Sequence, residues 1–363
     1  MKVPFLDLSI TSKEERAELL NAVETVLKHG RLVLGPEVEE FETRFAKQCG
    51  RKFAVGVSSG TDALYLGLRS LGIGAGDEVI TPSLSWIATA NAIALTGATP
   101  LFADIADDQN ISPESARRLI SDKTKALLPV HFNGKVCRMD ELSEIAREHD
   151  LLMIEDAAQS FSARYDNKLA GSFGNIACFS LNPMKIFAAV GEAGVIITDD
   201  PEIRKRLISL RYAGTIDREV CVEPAFNSRL DTIQAAMLLV RFNKVESIVE
   251  RRREIAGLYS ALIGDIVITP EDAVGERHVY YTYTIRCENR DELKKHLESK
   301  GIEVKIRHPL LMPLQPAYKG KSRAEFSNAE KIIGEILSLP ASETVSNEEI
   351  EYVASSIIEF YKA

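Results

Sequence analysis

The 363-residue chain predicts an α/β fold: a large domain with a mostly parallel mixed sheet flanked by helices, then a smaller C-terminal α+β domain. Three observations predict it. Between residues 53 and 198, short apolar runs alternate with amphipathic segments, as strands joined by crossover helices do. Polar residues stand at the carboxyl ends of those runs, where such sheets bind ligands. Past about residue 245 the alternation stops, so the predicted domains are 1–245 and 246–363.

In chain order, Leu19, Leu20, Val23, Val26 and Leu27 recur at helical spacing within residues 14–50. The Gly-bounded stretch from Gly30 to Pro36 divides that region into two helices. Strands are predicted at 53–57, 78–81, 99–103, 126–130, 151–155, 176–180 and 194–198. Helices are predicted between them at 63–71, 87–95, 113–120 and 139–149. A long helix follows over 230–262. The C-terminal part reads as a strand at 278–286, a helix at 291–300, a strand at 303–306 and a closing helix at 347–361.

Composition narrows the function. The chain is 45% hydrophobic and 27% charged, as globular proteins are. A net charge of −9 with no basic stripe argues against nucleic acid as the main partner. No stretch approaches the length of a membrane span, and the opening Met1 to Leu8 does not read as a signal peptide. The five cysteines show neither C-x-x-C nor metal-ligand spacing, so no metal site and a reducing, cytoplasmic compartment are expected.

The most informative residue is Lys185, in Ser180-Leu181-Asn182-Pro183-Met184-Lys185. About thirty residues earlier, Asp156 closes an apolar strand and is followed by Ala157-Ala158-Gln159. This pattern suits pyridoxal phosphate chemistry. The lysine supplies an amine for a Schiff base, the aspartate a carboxylate for the pyridinium nitrogen, and Ser180 a hydroxyl for the phosphate. Apolar flanks around Lys185 favour an uncharged, nucleophilic amine. Gly60 and Thr61 open a helix whose free N–H groups favour a phosphate, although Ser58 and Ser59 also suit an ordinary cap. Trp86, the only tryptophan, sits at a strand-to-helix junction, available to stack on a planar ring or to pack in the core. Gln159 is one turn past Asp156, within reach of a ring oxygen. Asn227, Ser228 and Arg229 form a polar turn into an apolar helix, and His308 belongs to a loop that borders the predicted cleft. Asp104 and His131 also fall at strand ends.

With these residues in order, the chain resembles the DegT/DnrJ/EryC1/StrS sugar aminotransferases, which are fold-type-I pyridoxal phosphate enzymes. The likeness runs from Val3-Pro4-Phe5-Leu6-Asp7-Leu8 to Leu314-Gln315-Pro316-Ala317-Tyr318. It implies that Lys185 bonds the cofactor, Asp156 pairs with its ring nitrogen and Gln159 contacts its ring hydroxyl. It implies that Gly60, Thr61 and Ser180 hold the phosphate and that Trp86 stacks on the ring. It also implies that Asn227 reaches the phosphate from a second subunit, which makes the enzyme a homodimer with shared sites. Members with His in place of the lysine are sugar dehydratases; Lys185 groups this chain with the aminotransferases. Asn182, Ile186, Ala193 and the stretch from His131 to Gly134 depart from the common pattern, and Asn182, Arg229 and His308 are taken as substrate-facing.

The expected reaction moves an amino group from L-glutamate to a keto sugar, a nucleotide-linked 3- or 4-keto hexose. The expected pathway makes amino sugars for lipopolysaccharide or another surface polysaccharide. A free keto-sugar acid as substrate, a dehydratase or lyase on the same fold, and a cofactor-binding regulator without turnover are the competing readings.

Overall fold

The computed structural model describes residues 1–320 and 324–362. Helix α1 (Lys13–His29) starts at Ser12, whose Oγ accepts from the Glu15 N–H at 3.1 Å. It stops at Gly30, which takes the left-handed conformation (φ 71°) that a helix C-cap favours. Helix α2 (Pro36–Gln48) follows, with proline in its first turn.

The chain then builds strands β1 (Phe53–Val57), β2 (Glu78–Pro82), β3 (Thr99–Ala103), β4 (Thr124–Leu127) and β5 (Leu152–Asp156). A small hairpin, β6 (Arg164–Tyr165) and β7 (Lys168–Leu169), precedes β8 (Ile176–Ser180) and β9 (Gly194–Thr198). Seven of these form one sheet in the order β1-β9-β8-β5-β4-β2-β3. Pairing is parallel from β3 through β8, and β9 runs antiparallel to both its neighbours. Helices α3 (Gly60–Ser70), α4 (Ala88–Leu95), α5 (Pro113–Arg118) and α6 (Met139–Glu148) make the crossovers. The sheet is mostly parallel and mixed, flanked by helices, as the sequence predicts.

Both faces of the sheet are covered, so its strands are apolar throughout. Alternate residues serve different cores. Ala177 and Phe179 join one cluster with Phe41, Phe45 and Phe187, while Ile176 and Cys178 join another with Leu64 and Leu68.

Beyond β9 come α7 (Pro201–Leu210), a hairpin of β10 (Thr215–Ile216) and β11 (Val220–Cys221), α8 (Thr232–Arg241) and α9 (Val245–Ile263). The expected single helix over 230–262 is therefore two. A 3₁₀ turn at Phe242–Lys244 separates them. Phe242 is buried among Phe41, Phe45 and Phe187, with the Phe187 ring centroid 4.9 Å away, and this anchor redirects the chain.

The C-terminal part holds β12 (Tyr283–Arg286), α10 (Arg290–Ser299), α11 (Ser327–Glu335), β13 (Ile336–Leu339) and α12 (Asn347–Lys362). Strand β12 is shorter than the predicted 278–286. Tyr280 has φ 47°, which breaks the extended run, and the Val279 N–H bonds Gly134 O instead of a strand. The predicted strand at 303–306 is absent: Glu303 N–H bonds Val3 O and Lys305 bridges Ser338, so its backbone groups are shared between two neighbours. The antiparallel partner of β12 is β13, which sequence reading missed. A further core gathers Tyr259, Tyr283, Ile285, Leu297, Leu337 and Ile357, and the N-terminal Val3 joins it. Among the described residues no helix is long and apolar enough to cross a membrane.

Candidate active site

A cavity of about 670 Å³ opens at the carboxyl ends of the parallel strands, between them and the 305–308 loop. Asp156, Lys185, Gly60, Thr61, Ser180, Trp86, Gln159, Asn182 and His308 all line it. Residues that are far apart in sequence and were singled out for one chemistry thus share one space.

Asp156 is the last residue of β5 and is only 3% exposed. Thr89 Oγ1 donates to its Oδ2 at 2.8 Å, and the Ala158 N–H donates to its Oδ1 at 3.1 Å. Burial pushes the carboxyl above its usual range; the two donors and the Lys185 and His131 charges offset this only in part. A buried carboxylate with two neutral donors fits a ligand that presents a protonated ring nitrogen.

Lys185 follows β8 on a tight turn. Its N–H bonds Asn182 O at 2.8 Å, and the Met184 N–H bonds Asn182 Oδ1 at 3.0 Å. The Asn182 amide nitrogen donates to Glu192 Oε1 at 2.6 Å. Both ends of the Asn182 side chain are therefore hydrogen-bonded within the chain, at the turn that carries Lys185. Lys185 Nζ stands 4.4 Å from the centroid of the Tyr281 ring.

Helix α3 begins at Gly60, and its cap Ser59 Oγ accepts from the Asp62 N–H at 3.1 Å. The cap and the anion-site readings thus coexist. A Cβ on Gly60 would lie 2.5 Å from Ser180 Cβ, so glycine alone allows this close approach of helix start and β8 end. The result is a cradle of N–H groups with the Thr61 and Ser180 hydroxyls beside it, suited to a phosphate.

Trp86 is 61% exposed although it lines the cavity, and its ring centroid is 6.0 Å from that of His308. The core-packing alternative for this residue does not hold. His308 also faces Phe132 at 5.7 Å; burial, then the Arg307 and Lys185 charges, push its imidazole down to about 3. It is a neutral group at ordinary pH. Gln159 Oε1 accepts from the Asn133 N–H at 2.9 Å, which fixes the amide so that its NH₂ is the end left for a ligand.

Other predicted residues lie elsewhere. Asn227 is exposed and bridges Tyr212, and the Arg229 guanidinium lies 4.4 Å from the Tyr212 ring centroid; neither lines the cavity. Asp104 accepts from the Asn328 and Ala329 N–H groups at 3.0 and 2.9 Å and caps α11. His131 is fully buried and bonds Glu155 at 3.0 Å. Sequence reading missed Thr89, Tyr281 and Lys305, which line the cavity, as does Arg307 beside His308 in the loop expected to border the cleft. Thr89 carried a usable signal, one turn past Ser85 in a segment already singled out. The others come from the C-terminal part and reach the site only through tertiary folding.

A lysine and a buried carboxylate across one cavity, with a phosphate cradle at a helix start, on this sheet, define a pyridoxal-phosphate-dependent aminotransferase of fold type I. The DegT/DnrJ/EryC1/StrS aminotransferase family model matches residues 13–358, and the chain belongs to that family. It is 41% identical to the dTDP-3-amino-3,4,6-trideoxy-alpha-D-glucose transaminase of Streptomyces venezuelae, over 93% of this chain and 91% of that one. It is 37% identical to a protein of Geobacillus stearothermophilus named pleiotropic regulatory protein, over 100% and 99% of the two chains. The crystal structure of S. venezuelae DesV in complex with a ketimine intermediate superposes with a TM-score of 0.96 at 39% identity, covering 100% of this chain and 99% of that one.

Proposed function

We propose that this aminotransferase converts a nucleotide-linked 3-keto hexose to the 3-amino sugar, with L-glutamate as amino donor. The observation that carries the proposal is the set of cations that line the cavity. Lys305 and Arg307, neither with a carboxylate partner among the described residues, line it together with Lys185 and Asp156. Cations there suit the carboxylates of glutamate and the diphosphate of an activated sugar. The name of the S. venezuelae relative supports carbon 3.

Pyridoxal phosphate, when bound, withdraws electrons from the carbon whose proton is removed. The residues of the chain do the rest. Gly60, Thr61 and Ser180 bind its phosphate, and Trp86 covers its ring. Asp156 holds a proton on its ring nitrogen by presenting a buried carboxylate. Gln159 orients the ring through its NH₂. Lys185 Nζ would hold the cofactor until the amino donor takes its place, and would then be the group that moves the substrate proton.

The five cysteines are unpaired, as a cytoplasmic enzyme's would be. The exposed Asn227, outside its own cavity, is assigned to the neighbouring site of a homodimer. The product is an activated amino sugar, the form in which sugars are built into lipopolysaccharide or another surface polysaccharide.

A second reading, regulation, has the name of the G. stearothermophilus relative in its favour. One experiment separates the two. The purified protein is incubated with pyridoxal phosphate, L-glutamate and a panel of nucleotide-linked 3- and 4-keto hexoses, and products are weighed by mass spectrometry. The 3-keto substrate should give an amino sugar and an equal amount of 2-oxoglutarate. Cofactor binding without either product would favour the regulator, and product from 4-keto substrates alone would overturn the assignment of the carbon.

A further inference from the structure

Gln159 can meet a cofactor ring in one fixed way only if its amide is held, and the hold comes from Asn133. Gln159 Oε1 accepts from the Asn133 N–H at 2.9 Å. A backbone N–H can only donate, so the oxygen must face Asn133 and the NH₂ is the end left for a ligand. Asn133 belongs to the stretch from His131 to Gly134 that departs from the common pattern. Its backbone is left-handed, at φ 55° and ψ 4°, a conformation that asparagine tolerates better than most side chains.

The Asn133 side chain is itself held at both ends. The Thr282 hydroxyl donates to its Oδ1, and its Nδ2 donates to Gln109 Oε1 at 3.0 Å. The Thr282 N–H also reaches the Asn133 carbonyl at 3.4 Å. All four residues are buried. Gln109 follows β3, Asn133 follows β4, Gln159 follows β5 and Thr282 immediately precedes β12, so the cluster ties three strand ends to the C-terminal part. Gln109 and Asn133 line a second cavity of about 910 Å³, Gln159 lines the active-site cavity, and Thr282 lines both. The cluster thus stands between two cavities, where hydrogen bonds rather than close packing must fix it.

We propose that Asn133 is a positioning residue for the cofactor: its N–H, aimed by the left-handed turn and held there by Thr282 and Gln109, fixes Gln159 so that the Gln159 NH₂ donates to the ring oxygen of pyridoxal phosphate. Through Thr282 the C-terminal part takes a share in setting the cofactor ring. The inference rests on Gln159 being the ring contact.

The test is a pair of double-mutant cycles on the whole chain. Dissociation constants for pyridoxal phosphate are measured by equilibrium dialysis, and the visible circular dichroism of the bound cofactor is recorded, because that signal follows ring orientation. Gln159→Ala should weaken binding about tenfold, the loss of one hydrogen bond to an ionised ring oxygen, and change the visible signal. Asn133→Ala and Thr282→Val should each weaken binding about threefold and change the signal in the same sense. Made in the Gln159→Ala protein, neither should do anything further, because the residue they act through is gone. Thr282→Val keeps the shape of the side chain, so it carries the test even where Asn133→Ala does not fold. Unaltered binding and signal in the single variants, or effects of the same size with Gln159 already removed, would overturn the proposal. A Gln159→Ala protein with the binding and visible signal of the wild type would instead overturn the contact of Gln159 with the ring.

Discussion

At the scale of single residues, the site holds its polar groups in environments that make sense only with a ligand. Asp156 is the clearest case. Its carboxyl is raised by burial, so in the cofactor-free protein its charged form opposes folding. The sign follows directly. A carboxyl raised in the fold costs stability as pH climbs through its folded value, and costs nothing where it is protonated in both states. Asp156→Asn should therefore raise the melting temperature of the cofactor-free protein at neutral pH, by an amount that shrinks in acid. Adding pyridoxal phosphate should reverse the order, because the wild type gains a cationic partner and the variant does not. Turnover by Asp156→Asn should fall by two orders of magnitude or more, roughly 3 kcal/mol. Thermal melts with and without cofactor at two pH values check the first claim; equal melting of the cofactor-free proteins at neutral pH would leave Asp156 as no more than an ordinary turn residue. This residue and Lys185 were legible in sequence because each closes or follows an apolar run. Tyr281 was not, since only the packing of the C-terminal part brings it to Lys185.

At the scale of elements, the seven sheet strands were readable because burial on both faces makes each a short apolar run between polar turns. Where backbone groups are shared among several neighbours, pattern failed. Residues 303–306 alternate like a strand but divide their bonds between Val3 and Ser338. The break between α8 and α9 carries no glycine or proline and depends on where Phe242 is buried. The junction of α3 and β8 is the element contact that shapes the proposed phosphate cradle. Gly60→Ala places a methyl 2.5 Å from Ser180 Cβ, so helix start and strand end must separate. Its affinity for pyridoxal phosphate should drop about tenfold or more, at least ~1.4 kcal/mol, with the far-ultraviolet circular dichroism unchanged. Equilibrium dialysis measures this, and an unaltered affinity would place the phosphate elsewhere.

At the scale of the whole molecule, the cavity is bounded by the sheet and by the C-terminal part, while Asn227 and Arg229 stand outside it. If Asn227 completes a neighbour's phosphate site, cofactor binding and subunit association are coupled, because a ligand bound by the dimer stabilises the dimer. Asn227→Ala should then lose cofactor more readily than the wild type, and the difference should widen on dilution. Sedimentation with and without pyridoxal phosphate reads this; a fully active monomer would show that one chain builds its site alone. The central claim, that this fold carries an aminotransferase site built on Lys185, has a more direct test. The cofactor-loaded protein is reduced with borohydride, digested, and its peptides sequenced by mass spectrometry. The account predicts the reduced phosphopyridoxyl group on Lys185, and none after prior incubation with L-glutamate, when the cofactor has left the lysine as its amine. Label on another lysine, or no label on a yellow protein, would contradict it.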